Sequence, residues 1–364
     1  MLDLIIPVYK NIPGLYRSLF SLGTETGKKV FVTIVDDCSG DNYDEVINFF
    51  QKFFPIRVIY LPENSGPGIA RQVGLNNATQ KYVSFLDCGD TYTTPTRMIE
   101  CLSVIEDNPE IYLFSYLHKE EHPTEIEGRY YYSDTGAQNN RMHGKFYRRD
   151  FLMRHNIRFC EDCPRMNEDI GFNISVRLVA ETESRRDGIS RIYHDDNPVV
   201  VWKYTGPSIV RSENHAFYYR DQNIGMSING EHILKIAREN NVDEDLIIRE
   251  IYEEMIHMYM FHFATKHDRP EFLDRALDGA TRYYYNCFRP VGDKNPELLN
   301  DLYWETLTGF LMDSTDPIRR CLATLDFPGF LNLLEKRGKE EYGNKTTNIL
   351  TESTQDNGFN YTAS

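Results

Sequence analysis

The chain of 364 residues has no surplus of positive charge: 55 Asp and Glu outweigh 40 Lys and Arg, leaving a net charge of −15. That balance argues against non-specific adhesion to nucleic acid or to an anionic membrane surface. No apolar run approaches the ~18 residues of a membrane span, and the amino terminus lacks a basic, apolar, cleavable signal. The opening "MLDLIIPVY" is too short for an export segment and reads as a first strand. Seven cysteines is an odd number without framework spacing, which fits a reducing compartment. Cys160 and Cys163 make one C-x-x-C, but the second ligand pair of a structural zinc site is missing. Two free thiols and a cytoplasmic protein are the expectations. A Walker loop is missing too, since no Gly-Lys-Ser/Thr occurs, and there is no internal repeat.

What is present is a core-forming composition, 41% hydrophobic and 13% aromatic, laid out in a clear rhythm. Apolar or β-branched runs at 2–8, 29–37, 56–61, 82–86 and 111–117 alternate with helical spacing at 11–22, 42–54, 68–79 and 94–107. This alternation predicts an α/β fold with a mostly parallel sheet and helices on both faces. Ligands of such sheets bind at the carboxyl ends of the strands. From about residue 119 a polar stretch reads as an excursion or hairpin over the sheet edge. "FYRRDFLMRHN" (146–156) then reads as a short helix, "NEDIGFNISVRLVAE" (167–181) as a longer one, and 188–194 and 198–204 as two short strands. Five helical segments follow. The expected organisation is an α/β domain over 1–215, a helical region over 216–338 and a polar, disordered tail over 339–364.

Carboxylates gather where strands end. "IVDDCSGD" places Asp36 and Asp37 after the second strand, and "FLDCGD" places Asp87 and Asp90 after the fourth. Alone, each pair is also what a turn or a helix N-cap looks like. Two acidic strand ends on one sheet edge point to a ligand cleft. "ENSGPGIARQVGL" adds Gly66 and Gly68, which let a backbone pass close to a ligand, and a helix start suited to phosphate. Arg71 lies in that helix's opening turn, where the dipole disfavours a cation unless an anion is near. "MNEDIGFN" puts Glu168 and Asp169 at a helix start, either as a simple cap pair or with one carboxylate as a general base.

Taken in order, "LIIPVYK", "VDDCSGD", "NSGPGIARQVGLNNAT", "YVSFLDCGDTYTTPTRM", "HGKFYRRDFL", "NED" and "VVVWKYTGPSIV" resemble the family-2 glycosyltransferases of the GT-A fold, over about residues 1–212. The resemblance implies a nucleotide-diphospho-sugar transferase fold followed by an unrelated helical region. It also implies inverting transfer from a UDP-sugar to an acceptor hydroxyl. By that likeness Pro7, Tyr9 and Asp37 contact the nucleoside, Gly66 and Arg71 face the ribose or diphosphate, and Asp87 holds the donor with Mn2+ or Mg2+. Asp169 is then the base, with direct displacement at the anomeric carbon. Three positions depart from the family pattern: Lys10 and Val73 replace asparagines, and Gly89 replaces the aspartate that usually binds the metal. Asp90 is the expected substitute ligand.

The acceptor is expected to be a saccharide or surface precursor. A second reading is a hydroxymethylated base in DNA, as for soluble bacteriophage sugar transferases, which would place the protein in host cytoplasm. It rests on the basic stretch 141–159, with Lys145, Arg148 and Arg149 beside the acceptor-side motifs and Glu168 near them. The alternative is a solvated helix face paired with acids elsewhere. A third reading, from a different class, is a sugar-nucleotide-binding module that has lost catalysis through Gly89.

Overall fold

Strand β1 (Leu2–Val8) shows why the sheet is covered on both faces. Leu4, Ile6 and Val8 point into one apolar cluster and Ile5 into another, so alternate side chains serve different layers. In the computed structural model the described residues are all but 25, 94, 105–108, 121–128, 134–140, 204–214, 313–325, 340 and 343–364. The end of the stretch "VVVWKYTGPSIV", most of the tail and parts of the polar excursion therefore lie outside the described residues.

β2 (Val30–Asp36), β3 (Ile56–Tyr60) and β4 (Tyr82–Phe85) join β1 in the parallel order β3-β2-β1-β4. Helices α1 (Ile12–Phe20), α2 (Asp44–Phe50) and α3 (Pro67–Asn76) make the crossovers. Strand β5 (Thr91–Tyr92) and helix α4 (Pro95–Val104) follow, then β6 (Ile111–Glu120) and β7 (Arg129–Ser133), which form an antiparallel hairpin.

Here the structure departs from the alternating pattern. β6 does not extend the parallel series beside β4. Phe146–Arg148, expected as the start of a helix, belong to strand β8 (Lys145–Arg148), antiparallel to both β4 and β6 and wedged between them. Four residues are too few to separate a period of 2 from one of 3.6, and the pairing is decided by distant partners. Helix α5 begins only at Arg149 and ends at Arg154. The two short strands expected near 188–204 are one strand, β9 (Ile192–Lys203), parallel to β6 with register shifts on either side of Ser115. The full order is β3-β2-β1-β4-β8-β6-β9-β5, with β7 on β6.

Helix α6 (Glu168–Asp187) carries the second carboxylate pair. Phe159 and Phe172 stack with centroids 4.2 Å apart and planes 7° from parallel, and Phe85 and Tyr147 meet Phe172 edge-on. This aromatic block ties β4, β8 and α6 together directly behind the site. Phe172→Ala is expected to cost about 3–5 kcal/mol of stability, measured by chemical denaturation.

Beyond residue 215 come α7 (His215–Glu239), α8 (Glu244–Asp268) and α9 (Leu273–Tyr283). A π-helical turn (Tyr284–Phe288), α10 (Arg289–Gly292), α11 (Pro296–Met312) and α12 (Phe327–Gly338) complete the region. One apolar cluster runs from Ile5 through Phe172 to Met255, Tyr283 and Leu334, so these helices share a core with the sheet. No described helix is long and apolar enough to cross a membrane.

Candidate active site

Parallel strands β1, β2 and β4 end on one edge, and the polar residues just past those ends converge there. Tyr9 follows β1 and is 45% exposed, with Lys10 Nζ 5.0 Å above its ring. Asp37 follows β2, its amide donating to the Val8 carbonyl at 2.8 Å. Pro7, half-buried, closes the β1 side. Asp36, also buried, caps its own turn: its carboxylate accepts from the Ser39 amide and from Tyr43 Oη at 2.7 Å.

The Asp87–Asp90 loop follows β4 and is held from α1. Ser18 Oγ accepts from the Gly89 amide at 2.9 Å and donates to the Asp90 carbonyl at 2.7 Å. Asn11 Nδ2 reaches the Cys88 carbonyl at 3.3 Å. Gly89 has φ of +111°, a conformation side chains rarely adopt. The chain doubles back there, the Asp90 amide donates to the Asp87 carbonyl at 3.0 Å, and Asp90 turns inward, 5% exposed. His143, just before β8, completes a group with Asp87 and Asp90 whose candidate ligand atoms all lie within 4.8 Å of one another. Burial pushes the His143 imidazole down to about 3 against the pull of Asp87, so near neutral pH it presents an uncharged nitrogen lone pair.

Arg71 is the hub. It is 4% exposed, and its guanidinium bridges Asp87 Oδ1 at 2.6 Å and Glu168 Oε1 at 2.8 Å. Loss of water raises the Asp87 carboxyl, but the charge and hydrogen bond of Arg71 together bring it below its ordinary value. Glu168 goes the other way: burial, then the charge of Asp169, pushes it up to about 7 despite Arg71. Asp169 is also raised, chiefly by burial, with Arg71 opposing and Asp87 adding to the rise. Its backbone is fixed from β8, because Tyr147 Oη donates to Asn173 Oδ1 at 2.6 Å and Asn173 Nδ2 donates to the Asp169 carbonyl at 2.8 Å. Lys145, on the same face of β8, is 3% exposed and pushed down to about 7 by burial, with Asp169 opposing.

Two acidic strand ends, a buried arginine and a helix-borne carboxylate pair thus share one cleft, in the order in which they occur along the chain. Residues 3–169 match the model of Glycosyl transferase family 2. An uncharacterised glycosyltransferase of Rickettsia conorii is 30% identical to the chain over 129 residues, 35% of this chain and 20% of the relative. The putative teichuronic acid biosynthesis glycosyltransferase TuaG of Bacillus subtilis is 32% identical over 93 residues, 25% of this chain and 37% of TuaG. The chain thus spans well under half the length of these curated relatives. Among solved structures, Staphylococcus aureus TarS 1–349 in complex with UDP-GlcNAc aligns with a TM-score of 0.60 at 16% identity, covering 96% of this chain and 94% of that one. The likeness establishes the fold and includes the helical region.

Several of the expected site residues have partners within the protein. Arg71, expected to face the ribose or diphosphate, is buried with its guanidinium on two carboxylates of the protein itself. Glu168, expected on the acceptor side, is 7% exposed and paired with Arg71. Gly66 makes room for the protein's own chain: a Cβ there would lie 2.6 Å from Arg165 Cγ and 3.0 Å from the Pro164 carbonyl. The helix start is largely engaged as well. Asp37 takes the Ser65 and Gly66 amides at 2.6 and 2.9 Å, Pro67 has none, and the Gly68 amide donates to the Pro164 carbonyl at 2.8 Å.

The basic stretch is dispersed in the same way. β8 runs antiparallel to β4 with Arg148 opposite Tyr82, so Arg148 and Arg149 lie at the amino-terminal edge of β4, away from Asp87. Arg148 and Arg154 face Glu110 at 3.7 and 3.4 Å, and Arg149 faces Asp150 at 3.6 Å. Lys145, which is buried, and the exposed Arg141 remain on the acidic side, near His143. His143 was missed because a lone histidine far along the chain from Asp87 carries no local spacing signal.

Proposed function

We propose that the protein is an inverting glycosyltransferase that moves a sugar from a UDP-sugar to an acceptor hydroxyl, with Asp169 as general base. The observation that carries this reading is the Arg71 bridge, which joins the Asp87 loop to the Glu168–Asp169 pair in one cleft. Tyr9, with Pro7 and Asp37 beside it, offers an exposed ring against which a uracil can pack, and UDP-GlcNAc in the TarS complex supports a uridine donor. Asp37 then works twice, fixing the Ser65–Gly66 loop through its amides and meeting the base.

The Asp87, Asp90 and His143 group suits a divalent cation: two carboxylates and a neutral imidazole are all ligand types in their ligating form. Mg2+ is served mainly by oxygen ligands, so the nitrogen favours Mn2+. Such a cation supplies positive charge where a departing diphosphate becomes more negative. The residues divide the rest of the work. Arg71 neutralises the carboxylates on either side of it, the buried Glu168 and the part-exposed Asp87, and fixes their separation. Asp169, the more exposed of its pair, accepts the proton of the attacking hydroxyl. Lys145 stands near it as an electrostatic partner.

The acceptor that fits best is a hydroxyl of a saccharide or surface precursor. Three of the cations that would favour a DNA backbone, Arg148, Arg149 and Arg154, are paired with Glu110 and Asp150 at the far edge of the sheet. The test is a UDP-sugar screen with and without Mn2+, following release of UDP. Turnover of at least one donor, stimulated by Mn2+, is expected. Tight UDP binding with no turnover of any donor would replace this reading with that of a non-catalytic sugar-nucleotide-binding module.

A further inference from the structure

The Cys163–Asp169 segment is gripped from two sides. On the donor side, Pro164 and Arg165 lie over Gly66 and Gly68, and Arg165 Nη1 donates to Asn64 Oδ1 at 2.6 Å. On the other side stands α7. Asn229, with no exposed surface, donates from Nδ2 to the Met166 carbonyl at 2.9 Å and to its own helix at Gly225 O at 3.0 Å. Asn167, 4% exposed, donates from Nδ2 to the Gln222 carbonyl at 3.1 Å. Asn167 adopts φ of +57°, in the left-handed region, immediately before the two carboxylates. A backbone in that region persists only when its surroundings over-determine it.

The contact surfaces are cut to fit. A Cβ on Gly171 of α6 would sit 2.4 Å from Asn229 Oδ1, and one on Gly225 would sit 2.8 Å from Met166 Cβ. One layer further out, a Cβ on Gly279 of α9 would meet the Asn223 backbone carbon at 2.4 Å, and Asn223 Nδ2 donates to the Ala276 carbonyl at 3.0 Å. Three asparagines and three glycines thus form one continuous seam from α9 through α7 to the start of α6. Simple packing of helices on a sheet needs no buried amides at such places, and each buried amide is costly unless satisfied.

We propose that α7 sets the position of the carboxylate pair: Asn229 and Asn167 are positioning residues that lock the turn from which Glu168 and Asp169 project. The role of the helical region is then to hold the base at a fixed height against the Asp87 loop. The inference rests on the reading of Asp169 as base. Sensitivity should be high, because a displacement near 1 Å in a catalytic group costs roughly a hundredfold in rate.

The test uses Asn229→Ala and Asn167→Gly in the full chain; the second keeps the positive φ and removes only the tie to Gln222. Three readouts are taken: UDP affinity by calorimetry, kcat and KM for the best UDP-sugar, and hydrogen exchange of the 163–172 amides. Expected for both variants is a fall in kcat of about a hundredfold, with UDP affinity and donor KM unchanged and faster exchange confined to 163–172. Unchanged kcat and exchange in Asn167→Gly would overturn the proposal, whether or not Asn229→Ala folds. So would a loss of UDP affinity in step with kcat, since that describes general loosening. If the wild-type protein turns over no donor, the transferase reading fails, and the exchange measurement alone decides whether α7 holds the turn.

Discussion

Asp169→Asn is expected to lower transfer by about 10²–10⁴-fold while UDP binding is retained. The carboxamide keeps the shape and the hydrogen bond that Oδ1 accepts from the Ile170 amide at 2.9 Å, but it cannot take a proton. The wild-type pH profile should carry the same signature. Burial raises both carboxyls of the pair, Glu168 to about 7, so protons bind them at higher pH than exposed carboxylates. A protonated carboxyl cannot act as base, so activity should be full on the alkaline side and fall as pH drops, beginning above the ordinary carboxylate range. The inflection belongs to the coupled pair and not to one residue. A wild-type rate in Asp169→Asn would remove Asp169 as the base, and a flat profile down to pH 4 would remove the pair from the rate-limiting step.

Asp87→Ala is expected to abolish Mn2+-stimulated turnover, and Asp90→Ala to weaken it strongly. Removing even an outer partner of a metal ligand commonly costs 10–100-fold in affinity or activity, so roughly tenfold is a lower bound for a ligand itself. Asp87→Ala also breaks the bridge to Arg71, which mixes two effects. His143→Gln separates them, because His143 touches the metal group and leaves the Arg71 ion pairs in place. It should weaken Mn2+ binding by roughly tenfold or more and remove the histidine nitrogen coupling from the pulsed electron paramagnetic resonance spectrum of bound Mn2+. Full activity in excess chelator would sink the metal assignment altogether. A nitrogen signal that survives His143→Gln would sink only the part of His143.

The sheet's parallel half was legible because β1, β2 and β4 are buried on both faces and read as predominantly apolar or β-branched runs. β8 was not legible, since Lys-Phe-Tyr-Arg flows into a helix without a glycine or proline between them. Its strand state comes from pairing with Tyr82 and Val83, far away in sequence. The acidic strand ends were visible as chemistry, and Gly89 was visible as a departure from pattern. What Gly89 does, which is to turn the backbone so that Asp90 faces inward, required the dihedral angle. Arg71 is the instructive case. The dipole argument asks for an anion near it, and the fold supplies two side-chain carboxylates, Asp87 and Glu168. Local rules specify the kind of partner, and only the tertiary fold supplies its identity.

The residues that match family 2 end at Asp169, yet α6 runs on to Asp187, and the turn before it is tied to α7 by the Asn229 amide on Met166 and the Asn167 amide on Gln222. A fragment trimmed to the matched region would stop two residues into the helix that carries the base. It would lose Phe172 from the aromatic block and every tie from Asn229. Any attempt to transplant this chemistry onto another scaffold, or to recombine it with a relative, therefore has to carry α6 and α7 along as part of the transferable unit.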